Sequence, residues 1–197
     1  MEVKLEYGDG QINVKLPNEN VDIFEIGVTK KDPKGLDDVK KATLEAILNP
    51  IGIEPISKQV HKGSKIVIVF PDKVKGGFQE DSHRKTSIPL VINECLKNGV
   101  EEKDIMLICS NGLHRKNKPD EIKKILGEEI FNRFYPKGQI INHDSEDWEH
   151  LVDLGYEPQF HSKVVINKYV YDADVAFLIG HVQGNPYGGY SGGYKHC

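Results

Sequence analysis

The sequence predicts an α/β protein with a mostly parallel sheet flanked by helices, Rossmann-like in layout, and an N-terminal β-hairpin. Three observations lead there. KIVIVF (65–70), DIMLIC (104–109) and DVAFLIG (174–180) are continuous apolar runs rich in β-branched residues, the composition of strands covered on both faces. Helix-patterned segments follow the first two runs, and strands alternating with helices argue for parallel pairing through right-handed crossovers. At the start of the chain, Val3, Leu5 and Tyr7 alternate with polar residues, Gly8-Asp9-Gly10 supplies a turn, and Ile12, Val14 and Leu16 alternate again.

Taken in order, the hairpin is followed by an amphipathic helix over 36–48, with Val39, Ala42, Leu44, Ala46, Ile47 and Leu48 on its apolar side and Asn49-Pro50 as its stop. The strand at 65–70 leads through a polar loop to a helix over 87–96. The strand at 104–109 leads through SNGLHRKN to a helix over 119–126, for which Asn117 is the expected N-cap and Pro119 lies in the first turn. QIINHD (139–144) is a short strand. Residues 145–172 carry no clear period. The strand at 174–180 feeds a stretch in which half of residues 184–193 are glycine. A buried strand ordinarily continues into a covering helix, so residues 1–197 are expected to be an α/β fragment of something longer.

Composition excludes several classes. A net charge of −4, with no basic stripe interleaved with aromatics, offers no footprint for nucleic acid. The apolar runs are far too short to span a bilayer, and the charged N-terminus is not a signal peptide. Cys95, Cys109 and Cys197 have no paired spacing, which suits reduced thiols in a cytoplasm.

In parallel α/β sheets the site lies past the carboxyl ends of the strands. Three polar clusters fall there: Asp72 after the first strand, His114 after the second, and the glycine stretch after DVAFLIG. His114 can exchange a proton near neutral pH. It can equally be a surface-loop histidine. Asp72 can orient a base or bind a hydroxyl, or can simply form a turn ahead of Gly76-Gly77. Arg84 sits near a helix start, a poor place for a cation, so an anionic partner such as a substrate carboxylate is one reading and a solvated arginine the other. The glycines, with Lys195 close behind, can cradle an anion or present an amine, or can form a loose tail. Neither the Walker A spacing nor GxGxxG is present. His181, His196 and Cys197 match no structural zinc pattern. His61, His83, His143, His150 and His161 read as loop or surface residues, and Ser191 lacks the context of a nucleophile elbow.

IVIVFPD (66–72) with Arg84 following, SNGLHRKN (110–117) and GHVQGNPYGGYSGGYK (180–195), in this order and spacing, resemble the N-terminal half of the nickel-dependent lactate racemase family. The resemblance covers residues 60–197, and the last stretch is its most specific part. It implies an isomerase, a racemase or epimerase of a 2-hydroxy acid, with its site in a cleft between two α/β domains. It implies a nickel-pincer nucleotide, a pyridinium-derived mononucleotide carrying nickel, supplied by cofactor maturation proteins and tethered covalently to a lysine. Lys195 matches that lysine, with Ser191, Gly192 and Gly193 binding the cofactor beside it as the glycines let the backbone close around it. His114 matches a catalytic histidine, Asp72 the acid after the strand, and Arg84 (or Lys75) the carboxylate-binding position. The nickel-ligating histidine is expected beyond Cys197.

Two departures bear on substrate. Asn185 stands where the family has its second catalytic histidine, and residues 73–81 read as an insertion between the acid and Arg84. The substrate expected on that resemblance is a 2-hydroxy acid other than, or larger than, lactate. A non-catalytic domain that grips a nucleotide or phosphate reversibly at the glycine stretch is the alternative, and a structural domain with a disordered Gly/Tyr tail a third reading.

Overall fold

Alternation in the first sixteen residues produces a two-stranded antiparallel ladder, β1 (Glu2–Tyr7) and β2 (Gly10–Lys15). Its register pairs Val3 with Val14 and Leu5 with Ile12, placing these apolar residues on one face, while Lys4 and Asn13 share the other. A computed structural model of the chain describes residues 1–8, 10–23, 34–74, 82–112, 114–182, 184–185 and 189–192. The chain divides into two units, Met1–Asp37 with the hairpin and Asp38–Cys197 with the α/β sheet.

The second unit begins with α1 (Val39–Leu48), whose N-cap Asp38 accepts the Lys41 amide at 2.9 Å. A single turn, α2 (Ile56–Gln59), precedes β3 (Ile66–Pro71). There follow α3 (His83–Lys97), β4 (Ile105–Ser110), α4 (Pro119–Leu126), α5 (Glu128–Phe134) and β5 (Ile140–Asn142). The segment without a clear period in the sequence is an antiparallel hairpin, β6 (Leu151–Tyr156) and β7 (Lys163–Asn167), closed by α6 (Lys168–Tyr171). Its alternation is broken by a register shift between Asp153 and Tyr156, where Gly155 takes φ +86°; this irregularity hides the strand from a period-two reading. The chain returns to the main sheet as β8 (Val175–Leu178) and then folds the glycine stretch into a short ladder, β9 (Gly184–Asn185) with β10 (Gly189–Tyr190).

The main sheet has the order β5-β4-β3-β8, every pair parallel. From β3 the chain steps outward through β4 to β5, then crosses back to place β8 on the other side of β3. The order reverses between β3 and β8, and the crevice outside their carboxyl ends is where this class of sheet binds ligands. All six residues of β3 are buried, as a strand covered on both faces requires. Ile66, Ile68 and Phe70 join Leu107 and Cys109 in the core under α3, α4 and α5; Val67, Val69 and Ile108 pack on the other side with Tyr169 and Val170 of α6. Each fully buried aliphatic side chain of this kind contributes roughly 1.5–3 kcal/mol.

Two boundaries differ from expectation for physical reasons. The third helix starts at His83 rather than near Ser87. The residues before Pro89 read as non-helical locally, but burial of Arg84 and Ile88 (both 0% exposed) overrides that preference. The N-cap of α4 is Lys118 rather than Asn117. Asn117 instead bonds reciprocally with Asn142 at the end of β5, its amide to Asn142 Oδ1 at 2.9 Å and its carbonyl from Asn142 Nδ2 at 3.0 Å, so it ties the β4 loop to the neighbouring strand.

Candidate active site

Asp72 is the first residue past β3, and its side chain is almost wholly enclosed at 3% exposure. His114 stands in the loop after β4, four residues past the strand end, with its amide bonded to the Asn111 carbonyl at 2.9 Å. Adjacent parallel strands bring these two loops side by side, and the His114 Nδ1–H donates to Asp72 Oδ2 at 2.8 Å. The ring is about half exposed. A carboxylate on Nδ1 fixes the tautomer that leaves Nε2 as a proton acceptor. The second oxygen of Asp72 accepts the Val74 amide at 3.1 Å, a local turn that holds the carboxylate at the strand end.

Arg84 lies directly beneath. It is fully buried, and its Nη1 donates to the Pro71 and Asp72 carbonyls at 2.9 and 2.8 Å while Nε donates to Ser82 Oγ at 3.0 Å. The arginine that looked misplaced at a helix start thus supplies hydrogen bonds to a strand terminus that has no further ladder partner. Burial lowers its pKa, and the Asp72 charge opposes that change.

The preceding residue joins the other side of the site. Read from sequence as a surface position, His83 is half-buried, its Nε2 is enclosed without a hydrogen-bond partner, and its ring centroid is 6.3 Å from that of His181 at the end of β8. Burial first, then Arg84 and His181, push the His83 imidazole below its ordinary range. Ser191 Oγ donates to the His181 carbonyl at 2.9 Å. Gly192 takes φ +93°, and a Cβ there would stand 3.1 Å from the same carbonyl oxygen, so this position demands glycine both for conformation and for space. The described part of the glycine stretch is therefore folded back against the end of β8. Contacts run without a break from Ser191 through His181 and His83–Arg84 to Asp72 and His114. Of the residues singled out in the sequence, the structure brings Asp72, Arg84, His114, Ser191 and Gly192 to this rim. Gly193, Lys195 and Lys75 lie outside the described residues, as do His196 and Cys197; Asn185 is in β9.

Sequence reasoning passed over a further residue, Glu121, at the third position of α4. Its side chain is 11% exposed and accepts from Lys73 Nζ at 2.9 Å, from Arg115 Nη1 and Nη2 at 2.8 and 2.6 Å, and from the Lys118 amide at 2.8 Å. Arg115, then Lys73, then that amide hold the carboxyl far below the usual carboxylate range. Asp120 and Glu121 opening a helix were the available signal, and that reads as ordinary capping. The two described cysteines carry no chemistry of this kind: burial pushes both thiols up to about 12, aided by Glu94 at Cys95 and by Asp72 at Cys109.

Among the described residues, no group of three or more His, Cys, Asp or Glu could hold a metal ion, and no helix is long and apolar enough to cross a membrane. The described rim offers an acid–base pair, Asp72 with His114.

Comparison with known proteins fits this geometry. The family described as "Lactate racemase N-terminal domain" matches residues 7–197. A curated lactate racemase from Thermoanaerobacterium thermosaccharolyticum is 25% identical over 195 residues, covering 98% of this chain and 42% of that protein. One from Lactiplantibacillus plantarum is 27% identical over 157 residues, covering 79% of this chain and 34% of that protein. The chain thus spans about two fifths of the length of the first and a third of the second. The solved lactate racemase apoprotein from T. thermosaccharolyticum superposes with a TM-score of 0.66 at 24% identity, over 99% of this chain and 42% of that one, which establishes a shared fold.

Proposed function

The chain belongs to the lactate racemase N-terminal domain family, and from that premise we propose that it serves an isomerase, a racemase or epimerase of a 2-hydroxy acid. The observation that carries this reading is the Asp72–His114 pair at the carboxyl rim, with a buried acid holding Nδ1 of a half-exposed imidazole at 2.8 Å. Stereochemical inversion by hydride transfer from a carbon bearing a hydroxyl needs a group that can take the hydroxyl proton and give it back. In this reading His114 Nε2 does that, while Asp72 holds the ring and stabilises the imidazolium formed. The Arg84 charge beneath the pair favours an anionic substrate. The stretch 73–81 between Asp72 and Arg84 supports a 2-hydroxy acid other than, or larger than, lactate.

The cofactor of this reading is a nickel-pincer nucleotide, installed by maturation proteins and tethered through Lys195. When bound, it supplies the acceptor and donor for the substrate hydride. Ser191 and Gly192 form the turn that leads to Lys195. The close approach of Gly192 to the His181 carbonyl keeps that turn flush against the end of β8. His114 and Asp72 move the proton, and Arg84 holds the end of β3 on which Asp72 stands.

Intact-mass spectrometry of the full-length protein, purified from cells that supply the maturation proteins, tests the tether. A nucleotide-sized adduct is expected on the wild type and absent from Lys195→Ala. An unmodified wild type, or an adduct that persists in the variant, overturns it.

A further inference from the structure

The two members of the catalytic pair come from loops 42 positions apart in sequence, and the residues directly following them meet on one carboxylate. Lys73 follows Asp72; Arg115 follows His114. Both bind Glu121, the arginine through two parallel hydrogen bonds and the lysine through Oε1. Glu121 is itself fixed to the start of α4 by the Lys118 amide. Four donors on a largely enclosed carboxylate make a rigid junction, because a bidentate guanidinium constrains direction as well as distance. The start of the β3 loop, the middle of the β4 loop and the N-terminus of α4 are joined at that point. An acid–base pair works only when held within about half an ångström of its productive geometry, and loops supply such precision only when other contacts fix them.

We propose that Glu121 is a positioning residue for the Asp72–His114 pair, setting the gap between the two loops by clasping Lys73 and Arg115. The proposal rests on the reading of that pair as the acid–base device, but it can be tested apart from it. Among the described residues, two other contacts of these loops lie elsewhere. Ser110 Oγ bonds the Phe70 carbonyl below the pair, at the strand ends themselves, and Asn111 Nδ2 bonds the His114 carbonyl within one loop. Beyond the strand ends, the Asp72–His114 bond and the two ion pairs that meet at Glu121 link the described parts of the β3 and β4 loops.

The test is Glu121→Gln in the full-length protein with ¹⁵N-labelled histidine. Glutamine keeps an oxygen for the Lys118 amide, so the helix cap survives, but it lacks the charge that holds the two cations. The readout is the hydrogen-bonded Nδ1–H proton of His114, identified by its disappearance in Asp72→Asn and His114→Gln. In folded Glu121→Gln that signal is expected to broaden away or to exchange with solvent about tenfold faster or more. A folded variant with the signal unchanged overturns the clasp. Should Glu121→Gln not fold, the double variant Lys73→Met/Arg115→Met removes both cations and leaves the cap; the same loss is expected, and an unchanged signal again overturns the proposal. Racemisation measured on the same samples separates the two readings. A lost signal with undiminished turnover sustains the clasp and sinks the acid–base role, whereas lost turnover with an intact signal sinks the clasp alone.

Discussion

The two ends of the parallel sheet carry the same electrostatic device put to different uses. At the carboxyl end, Glu121 gathers Lys73 and Arg115. At the amino end, Glu102 gathers Arg133, at 2.6 Å, and Lys137, while its carbonyl accepts Gln139 Nε2 at 2.7 Å. Both carboxylates are held below their ordinary range by paired cations. The lower cluster ties the turn before β4 to the lead-in of β5 and touches no imidazole. The upper one ties two loops whose preceding residues are an acid and a histidine bonded to each other. A carboxylate with two cations is thus no mark of a site; what marks one is that the loops it joins end in groups able to move a proton. That contrast predicts which damage shows in chemistry and which shows in stability.

The largest effect is expected at the upper end. Replacing His114 by Gln removes the proton acceptor while leaving an amide that can still bond Asp72. Interconversion of 2-hydroxy acid enantiomers by the full-length holoprotein, followed by chiral chromatography over a panel of substrates, should fall by roughly 10²–10⁴-fold. The thermal midpoint should stay close to wild type, because the ring is half exposed and outside the core. A variant that keeps most of its turnover would remove the upper end's claim to be different from the lower.

Much of this contrast was legible in the sequence. Three buried runs gave the parallel sheet, and their ends located Asp72 and His114, because apolar continuity and loop position are local properties of the chain. His83 and Glu121 were not legible. The first reads as solvated until α3 packs its start against the end of β8, and the second reads as ordinary capping until Lys73, 48 positions away in the chain, folds onto it. The β6–β7 hairpin was hidden by its bulge, and the helix start at His83 by Pro89. In each case a long-range contact overrode a local preference. The role of Arg84 shows the same limit from the other side: the charge was noticed, but its partners are backbone carbonyls that no pattern of side chains announces.

An intermediate effect should come from a part of the upper end that is held by backbone geometry rather than by charge. Gly192→Ala places a methyl 3.1 Å from the His181 carbonyl at φ +93°, a conformation that costs an L-residue about 1–3 kcal/mol. The turn should open before the sheet does. Amide exchange at positions 191 and 192 should accelerate by about tenfold or more while the exchange of β3 amides is unchanged. Loss of protection in β3 as well would mean that the glycine turn supports the sheet rather than rests on it.

The smallest effect belongs to the lower end and gives the comparison its control. Glu102→Gln breaks a partly exposed ion cluster, for which a loss of about 1 kcal/mol or less in urea unfolding at neutral pH is expected, with turnover intact. The pH dependence fixes the cause. Lys137 first, and Arg133 after it, lower the pKa of Glu102 in the folded protein. Its contribution is therefore fully present above the unfolded carboxylate value of about 4.3 and fades as pH falls through the lower folded value. Wild type and variant should differ at pH 7 and converge as the pH drops below about 4, because protonation of the carboxylate removes the same charge that the substitution removes. A gap that persists undiminished in acid would assign the loss to packing or to the neutral hydrogen bonds of Gln139, and the two ends of the sheet would then differ in mechanism as well as in use.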